Sequence, residues 1–152
     1  MNHLTQNAAG GLRELISFRI GAQEFCVDIM AIREIRGWTA ATALPQSPSF
    51  VRGVINLRGA VLPIVDLASR LGFESTEASD RNVIIVADIG GQVVGLLVDA
   101  VSDILTVDKG DIHPVPEGNT GDNDLLTGIV THDGRMLGLI DLPAVVSGAK
   151  TN

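Results

Sequence analysis

Three histidines, one cysteine and eighteen carboxylates are the groups in this 152-residue chain that could carry metal, nucleophilic or acid–base chemistry. Their spacing argues against each use. His3, His113 and His132 are far apart, and no two stand at the short intervals that metal ligation favours. His3 falls in a terminal tail, His113 beside Pro114 in a loop and His132 at a hairpin tip, so a solvated ring is the expected state of each. Asp122-Asn123-Asp124 opens like a calcium loop, but its sixth position is Thr127 rather than glycine and its twelfth is Asp133 rather than glutamate. It reads as an exposed acidic loop. Asp99 and Asp103 could in principle share acid and base roles, yet capping or a solvated face accounts for them more simply. Cys26 lies in the apolar run Phe25-Cys26-Val27 with nothing nearby to lower its pKa, and reads as a buried, inert thiol. No Gly-x-Ser-x-Gly elbow, Walker loop or Gly-x-Gly-x-x-Gly turn occurs. The residues therefore predict no catalytic site, no metal and no cofactor.

Composition narrows the partners. With 11 Lys+Arg against 18 Asp+Glu, the net charge is −7, and aromatics are 3% with no tyrosine. Nucleic-acid binding needs a basic stripe with stacking aromatics, and neither is present. Mean hydropathy is positive, but the most apolar stretch, Val83 to Val98, is interrupted by Asp88, Gly90, Gly91, Gln92 and Gly95. No run reaches the roughly 20 residues of a spanning helix, and Met1-Asn2-His3-Leu4-Thr5-Gln6 has neither a basic flank nor an apolar signal core. A cytoplasmic protein without direct membrane insertion is expected. A single cysteine excludes an internal disulfide, and 45% hydrophobic residues suffice for one ordinary core.

The elements that would position any site come in duplicate. Gly53 to Leu67 aligns with Gly128 to Leu142, with identities at Gly53/Gly128, Gly59/Gly134, Leu62/Leu137, Asp66/Asp141 and Leu67/Leu142. Upstream, Gly21-Ala22-Gln23 aligns with Gly90-Gly91-Gln92, and Ile29, Ile32, Glu34 and Ile35 align with Val98, Val101, Asp103 and Ile104. Two collinear matches in one order point to an internal repeat. Each copy predicts a strand (Leu15 to Ile20, Val83 to Asp88), a glycine turn and a second strand (Glu24 to Val27, Val93 to Leu97). Apolar residues then recur every third position, which predicts one helical turn in each copy, with Asp28 near the start of the first.

A tight hairpin follows. Asp133-Gly134 is a strong two-residue turn, and Arg58-Gly59 occupies the same place, so Gly59 and Gly134 are expected to supply positive φ. Pro63 in the return strand predicts a sheet edge or bulge. Asp66 to Gly72 reads as a short helix with an aspartate N-cap and a terminating glycine. The segments 72–80 and 108–124 read as loops. Four or five short strands in each copy predict an all-β fold with short helices, in which each half closes into a small barrel and the two pack through apolar faces. The expected halves are 12–72 and 81–146 within one domain over 12–147, with a terminal strand free to cross, and flexible tails at 1–11 and 148–152.

Taken together, these residues resemble the CheW family, adaptors that couple chemoreceptors to the histidine kinase CheA. The resemblance runs from about Leu12 to Val146. It is carried by Val27 to Gly37, Gly53 to Leu67, Val94 to Leu105 and Leu126-Thr127-Gly128, all in order. It implies two tandem small five-stranded SH3-like barrels packed around a shared hydrophobic core. The same resemblance implies a non-enzymatic scaffold that binds CheA's regulatory domain and the cytoplasmic tip of chemoreceptors, and that meets other CheW-like proteins in rings. It also implies recruitment to membrane-associated arrays. By the resemblance, Ile32, Glu34, Ile35, Asn56, Leu57, Arg58, Gly59, Val98 and Asp99 are the partner-binding residues. Arg58 at a hairpin tip, with Leu57 exposed beside it, would form an anchor. Trp38 reads equally as an interface aromatic or as packing. With no room for a kinase or receiver domain, the chain reads as a stand-alone adaptor. The competing readings are an enzyme or small-molecule carrier, holding a ligand within a barrel or in the groove between barrels, and a purely self-assembling structural protein.

Overall fold

A computed structural model describes residues 11–74, 79–116 and 125–147. His3, the Asp122-Asn123-Asp124 loop and the tail 148–152 lie outside these residues. The first copy of the repeat contains β1 (Arg13–Ile20), β2 (Gln23–Asp28), a 3-10 turn (Ile29–Ala31), β3 (Ile32–Gly37), β4 (Val51–Leu57), β5 (Ala60–Asp66) and α1 (Leu67–Arg70). The second contains β6 (Val83–Ile89), β7 (Gln92–Val98), β8 (Ala100–Val107), a 3-10 turn (Lys109–Asp111), β9 (Ile112–His113), β10 (Leu126–His132), β11 (Arg135–Ile140) and α2 (Leu142–Val146).

The strands form two sheets, ordered β8-β1-β2-β11-β10-β9 and β3-β6-β7-β5-β4. Each curls into a barrel. In barrel 1 the chain passes from β8 through the 3-10 turn into β9, which pairs with β10 and joins the two sheet edges. In barrel 2 the chain beyond β3 reaches β4 through a bridge between Thr42 and Val54. The fold is all-β with short helices, as the alternation of apolar residues implied. The barrels do not, however, follow the chain halves 12–72 and 81–146. Barrel 1 takes β1 and β2 from the first half and its other strands from the second; barrel 2 takes β6 and β7 from the second half and its other strands from the first. The exchange involves a whole hairpin from each half, not one terminal strand.

Alternation along the strands sorts apolar side chains into three clusters. Leu15, Cys26, Leu105, Val130, Leu137 and Leu139 fill barrel 1. Ile55, Leu62, Ile64, Ile84, Val86 and Leu97 fill barrel 2. Between the barrels lies the largest cluster, with Phe18, Phe25, Val65, Leu67, Ile85, Leu96, Val98 and Val145 among its members. On β6, Ile84 and Val86 face into barrel 2 while Ile85 faces the shared cluster, the two-residue period of a strand buried on both faces. Each fully buried aliphatic side chain contributes roughly 1.5–3 kcal/mol.

Local chemistry explains the connections. Both hairpin tips carry two successive positive φ values, 53° and 87° at Arg58-Gly59 and 52° and 77° at Asp133-Gly134, the type I′ geometry that suits the strand twist. Each hairpin also slips register at its glycine, Gly53 or Gly128. A Cβ on Gly53 would collide with the Thr42 carbonyl, and one on Gly128 would lie 2.9 Å from the His113 carbonyl oxygen, so each bulge admits the strand that closes its barrel. Asp66 and Asp141 cap α1 and α2, their carboxylates accepting from Ser69 N (3.4 Å) and Ala144 N (3.1 Å). Arg70 ties the helices together, donating to the Val145 and Ala144 carbonyls at 2.9 and 3.0 Å.

Three expectations are corrected. Pro63 lies on β5, an interior strand flanked by β7 and β4. It is tolerated because Val54, its partner on β4, turns its N–H and C=O away to Thr42, while the ladder to β7 begins only at Ile64. The helical turn expected after Val98 is absent, and the chain enters β8 at Ala100. In the first half the Asp28 carboxylate starts that turn by accepting from Met30 N at 2.9 Å; the equivalent residue, Leu97, has no side-chain acceptor. The segment 108–124 is not all loop. Asp108 and Asp111 form a capping box around a 3-10 turn, and His113 stands on β9.

Candidate protein-interaction surface

Arg58 occupies the first position of the β4–β5 turn at φ 53°, a conformation that costs a side chain with a Cβ roughly 1–2 kcal/mol. Asn56 holds the turn, its Oδ1 accepting from Gly59 N at 3.0 Å. The Arg58 side chain is 70% exposed and ion-pairs with Glu34 on β3, which is 28% exposed. Arg36 approaches the other Glu34 oxygen at 3.4 Å. Hydrogen bonding from Arg58, followed by the attraction of both arginines, holds the Glu34 carboxyl below its ordinary pKa. Ile35, next along β3, is 43% exposed.

The turn and β3 thus bring Glu34, Asn56, Arg58 and Gly59 to one end of barrel 2, while Ile35 stands on the other face of β3, across from Ile85 of the shared cluster. Two other expected residues lie beneath this surface. Leu57 is not the exposed apolar residue expected; it is half-buried against the barrel 2 cluster, as is Trp38. Ile32 is half-buried against the shared core. Val98 is a correction. It is fully buried in the shared cluster and presents no surface to a partner. Asp99 is committed within the fold, where its carboxylate accepts from Gly21 N at 2.7 Å and its N–H donates to the Arg19 carbonyl. It pins the β1–β2 turn and is not part of the Arg58 cluster.

Sequence reasoning missed three features. Val61, on β5 beyond the turn, is 67% exposed, and its repeat equivalent Met136 on β11 is 70% exposed. Ile104, the repeat equivalent of the expected partner residue Ile35, is likewise exposed. The signal was available, since Val61 and Met136 each alternate with the buried Leu62 and Leu137. The third is an acid–arginine cluster on barrel 1. Arg135 contacts Glu24 at 2.7 Å and Asp103 at 3.3 Å, and Asp103 also accepts from the buried Ser17 hydroxyl. Both carboxyls lie below their ordinary pKa, Glu24 chiefly through Arg135 and Asp103 through Ser17 and then Arg135.

Among the described residues no three His, Cys, Asp or Glu side chains gather in a way that could hold a metal ion. Burial pushes the Cys26 thiol up to about 12, which keeps it protonated at neutral pH. His113 Nε2 lies 3.2 Å from the Thr131 hydroxyl, and His132 flanks the tip at 3.5 Å from Asp133. Apolar side chains cluster inside both barrels.

The CheW-like domain model matches residues 14–150. The chain belongs to the CheW-like domain family. The chemotaxis protein CheW of Rhizobium meliloti is 54% identical over 146 residues, covering 95% of this chain and 94% of that protein. The probable chemotaxis protein CheW of Rhizobium etli is 56% identical over 148 residues, covering 97% and 96%. The crystal structure of the scaffolding protein TtCheW from Thermoanaerobacter tengcongensis superimposes with a TM-score of 0.80 at 32% identity, covering 85% of this chain and 88% of that one. No described helix is long and apolar enough to cross a membrane.

Proposed function

We propose that this protein is a non-enzymatic adaptor that couples chemoreceptors to the histidine kinase CheA and joins membrane-associated receptor arrays from the cytoplasm. The observation that carries the reading is Arg58: a strained, exposed arginine at a hairpin tip, ion-paired with Glu34. A protein selected for stability alone would carry asparagine there. An arginine held against that preference fits a contact residue. The scaffold and chemotaxis names of the relatives supply the class of partner. Two apolar strips, Ile32 with Ile35 and Val101 with Ile104, run from the shared core to the surface, and we assign the receptor tip to this inter-barrel region. The barrel end bearing Arg58 is assigned to CheA's regulatory domain.

The test is binding of the full chain to a purified receptor cytoplasmic fragment and to the CheA regulatory domain, each by surface-immobilised kinetics. Saturable binding to both supports the coupling role. Binding to neither, at protein concentrations where the chain is folded, refutes it. Stabilisation by a small metabolite in a thermal-shift panel would favour the carrier reading instead.

A further inference from the structure

We propose that two copies of this chain can exchange halves, residues 12–71 of one copy completing both barrels with residues 83–146 of the other. Four ladders join strands from opposite halves: β1 with β8, β2 with β11, β3 with β6 and β5 with β7. Within a half there remain only the hairpins, β1–β2 and β4–β5 or β6–β7 and β10–β11, and the short closures at Thr42 and β9. Neither half can close a barrel from its own strands. The shared core is mixed in the same way, with Phe18, Val65 and Leu67 packing against Ile85, Leu96 and Val145. A half parted from its mate therefore exposes unpaired strand edges and an apolar face that one surface fits, the other half of this chain.

Nothing in those contacts depends on which copy supplies the second half. The halves are joined covalently only through residues 72–82, so the closed monomer and the exchanged pair share every barrel ladder and core contact. Their balance rests on that connector, which presents the chain's own second half at an effective concentration on the order of millimolar. Exchange of identical elements is a low-cost route to a closed two-fold dimer. Such a dimer carries every exposed face twice.

Complementation between full-length variants tests this. Ile64 and Val130 are fully buried inside barrels 2 and 1 and belong to the first and second halves. Ile64→Asp and Val130→Asp should each abolish folding, because an unpaired carboxylate would be buried. Refolded together, they should regain strand circular dichroism, up to half that of wild type, in a species of twice the monomer mass. In that species one body unites the intact first half of the Val130→Asp chain with the intact second half of the Ile64→Asp chain. A mixture of Ile64→Asp with Leu62→Asp, both damaged in the first half, should regain nothing. If the first mixture stays as unfolded as its components, the proposal fails. A second measurement does not depend on these variants failing to fold: with residues 75–78 deleted, light scattering on a sizing column should show a folded dimer. A folded monomer, or a chain unfolded at every concentration, overturns the proposal.

Discussion

Arg58 sits where conformational preference and use conflict, which makes it the informative residue. Arg58→Asn should stabilise the fold, since Asn-Gly suits a type I′ turn better than Arg-Gly, by several tenths to about 1 kcal/mol. The same change should weaken partner binding. A turn residue without a partner role would raise the denaturation midpoint and leave binding untouched. Arg58→Glu should slow association, with a defect that shrinks as salt rises, as for a rim charge. Ile32 and Ile35 divide differently. Ile32 packs on the shared core, so Ile32→Ala should lower thermal stability. Exposed Ile35 is the apolar contact, and Ile35→Ala should speed dissociation at all salt concentrations, by about 2 kcal/mol if it is an anchor. Wild-type CheA kinetics for Arg58→Glu would show that this end of barrel 2 does not dock the kinase, and wild-type receptor kinetics for Ile35→Ala that the inter-barrel strip does not dock the receptor. Cys26, buried with its pKa raised to about 12, should resist alkylation until the chain unfolds; rapid labelling of the native protein would contradict its placement.

At the scale of elements, the two hairpins are held by the same turn, and their glycines should respond alike. Gly59→Val and Gly134→Val each place a β-branched residue at positive φ, with nothing within 4 Å of the added Cβ. Backbone strain alone should then cost roughly 1–2 kcal/mol, read as a lower urea midpoint with unchanged slope. An unshifted midpoint for either variant would contradict that strain. The charge clusters beside these hairpins give an acid limb to stability. Glu24, Glu34 and Asp103 all have folded-state pKa values below ordinary. Their contribution is present above the unfolded carboxylate range, near pH 4, and is lost as pH falls through the lowered folded values. Arg135→Ala removes the main cause at Glu24 and the second at Asp103, so melting temperature should depend less on pH between about 5 and 3. An unchanged pH profile would mean the Arg135 contacts do not persist in solution.

Across the whole molecule, the interlacing of the halves makes the two barrels one cooperative unit. Leu137 lies inside barrel 1, whereas Trp38, the sole tryptophan, packs against the core of barrel 2. Leu137→Ala should cost about 2–5 kcal/mol and shift the Trp38 fluorescence transition together with that of far-ultraviolet circular dichroism. Two separated transitions, with Trp38 reporting an unperturbed barrel, would show that the barrels unfold independently.

What the sequence determined by itself is what depends on near neighbours along the chain. Strands follow from alternation, the I′ tips from Gly59 and Gly134, and the first helix start from Asp66. The repeat announced two barrels because each copy contains the same set of parts. Tertiary structure alone decided how those parts are dealt out. Strand pairing is set by which edges and apolar faces meet across long separations, and no local pattern distinguishes a hairpin that stays with its own half from one that crosses. Burial was decided the same way. Val98, a partner-binding candidate by the resemblance, aligns with Ile29 of the other copy, yet β7 is covered on both faces and Val98 lies in the shared core. Asp99 looked like a free carboxylate until the fold brought Gly21 N within 2.7 Å. Glu34 and Arg58, 24 residues apart, were separate candidates in the sequence; only closure of barrel 2 makes them one charged contact.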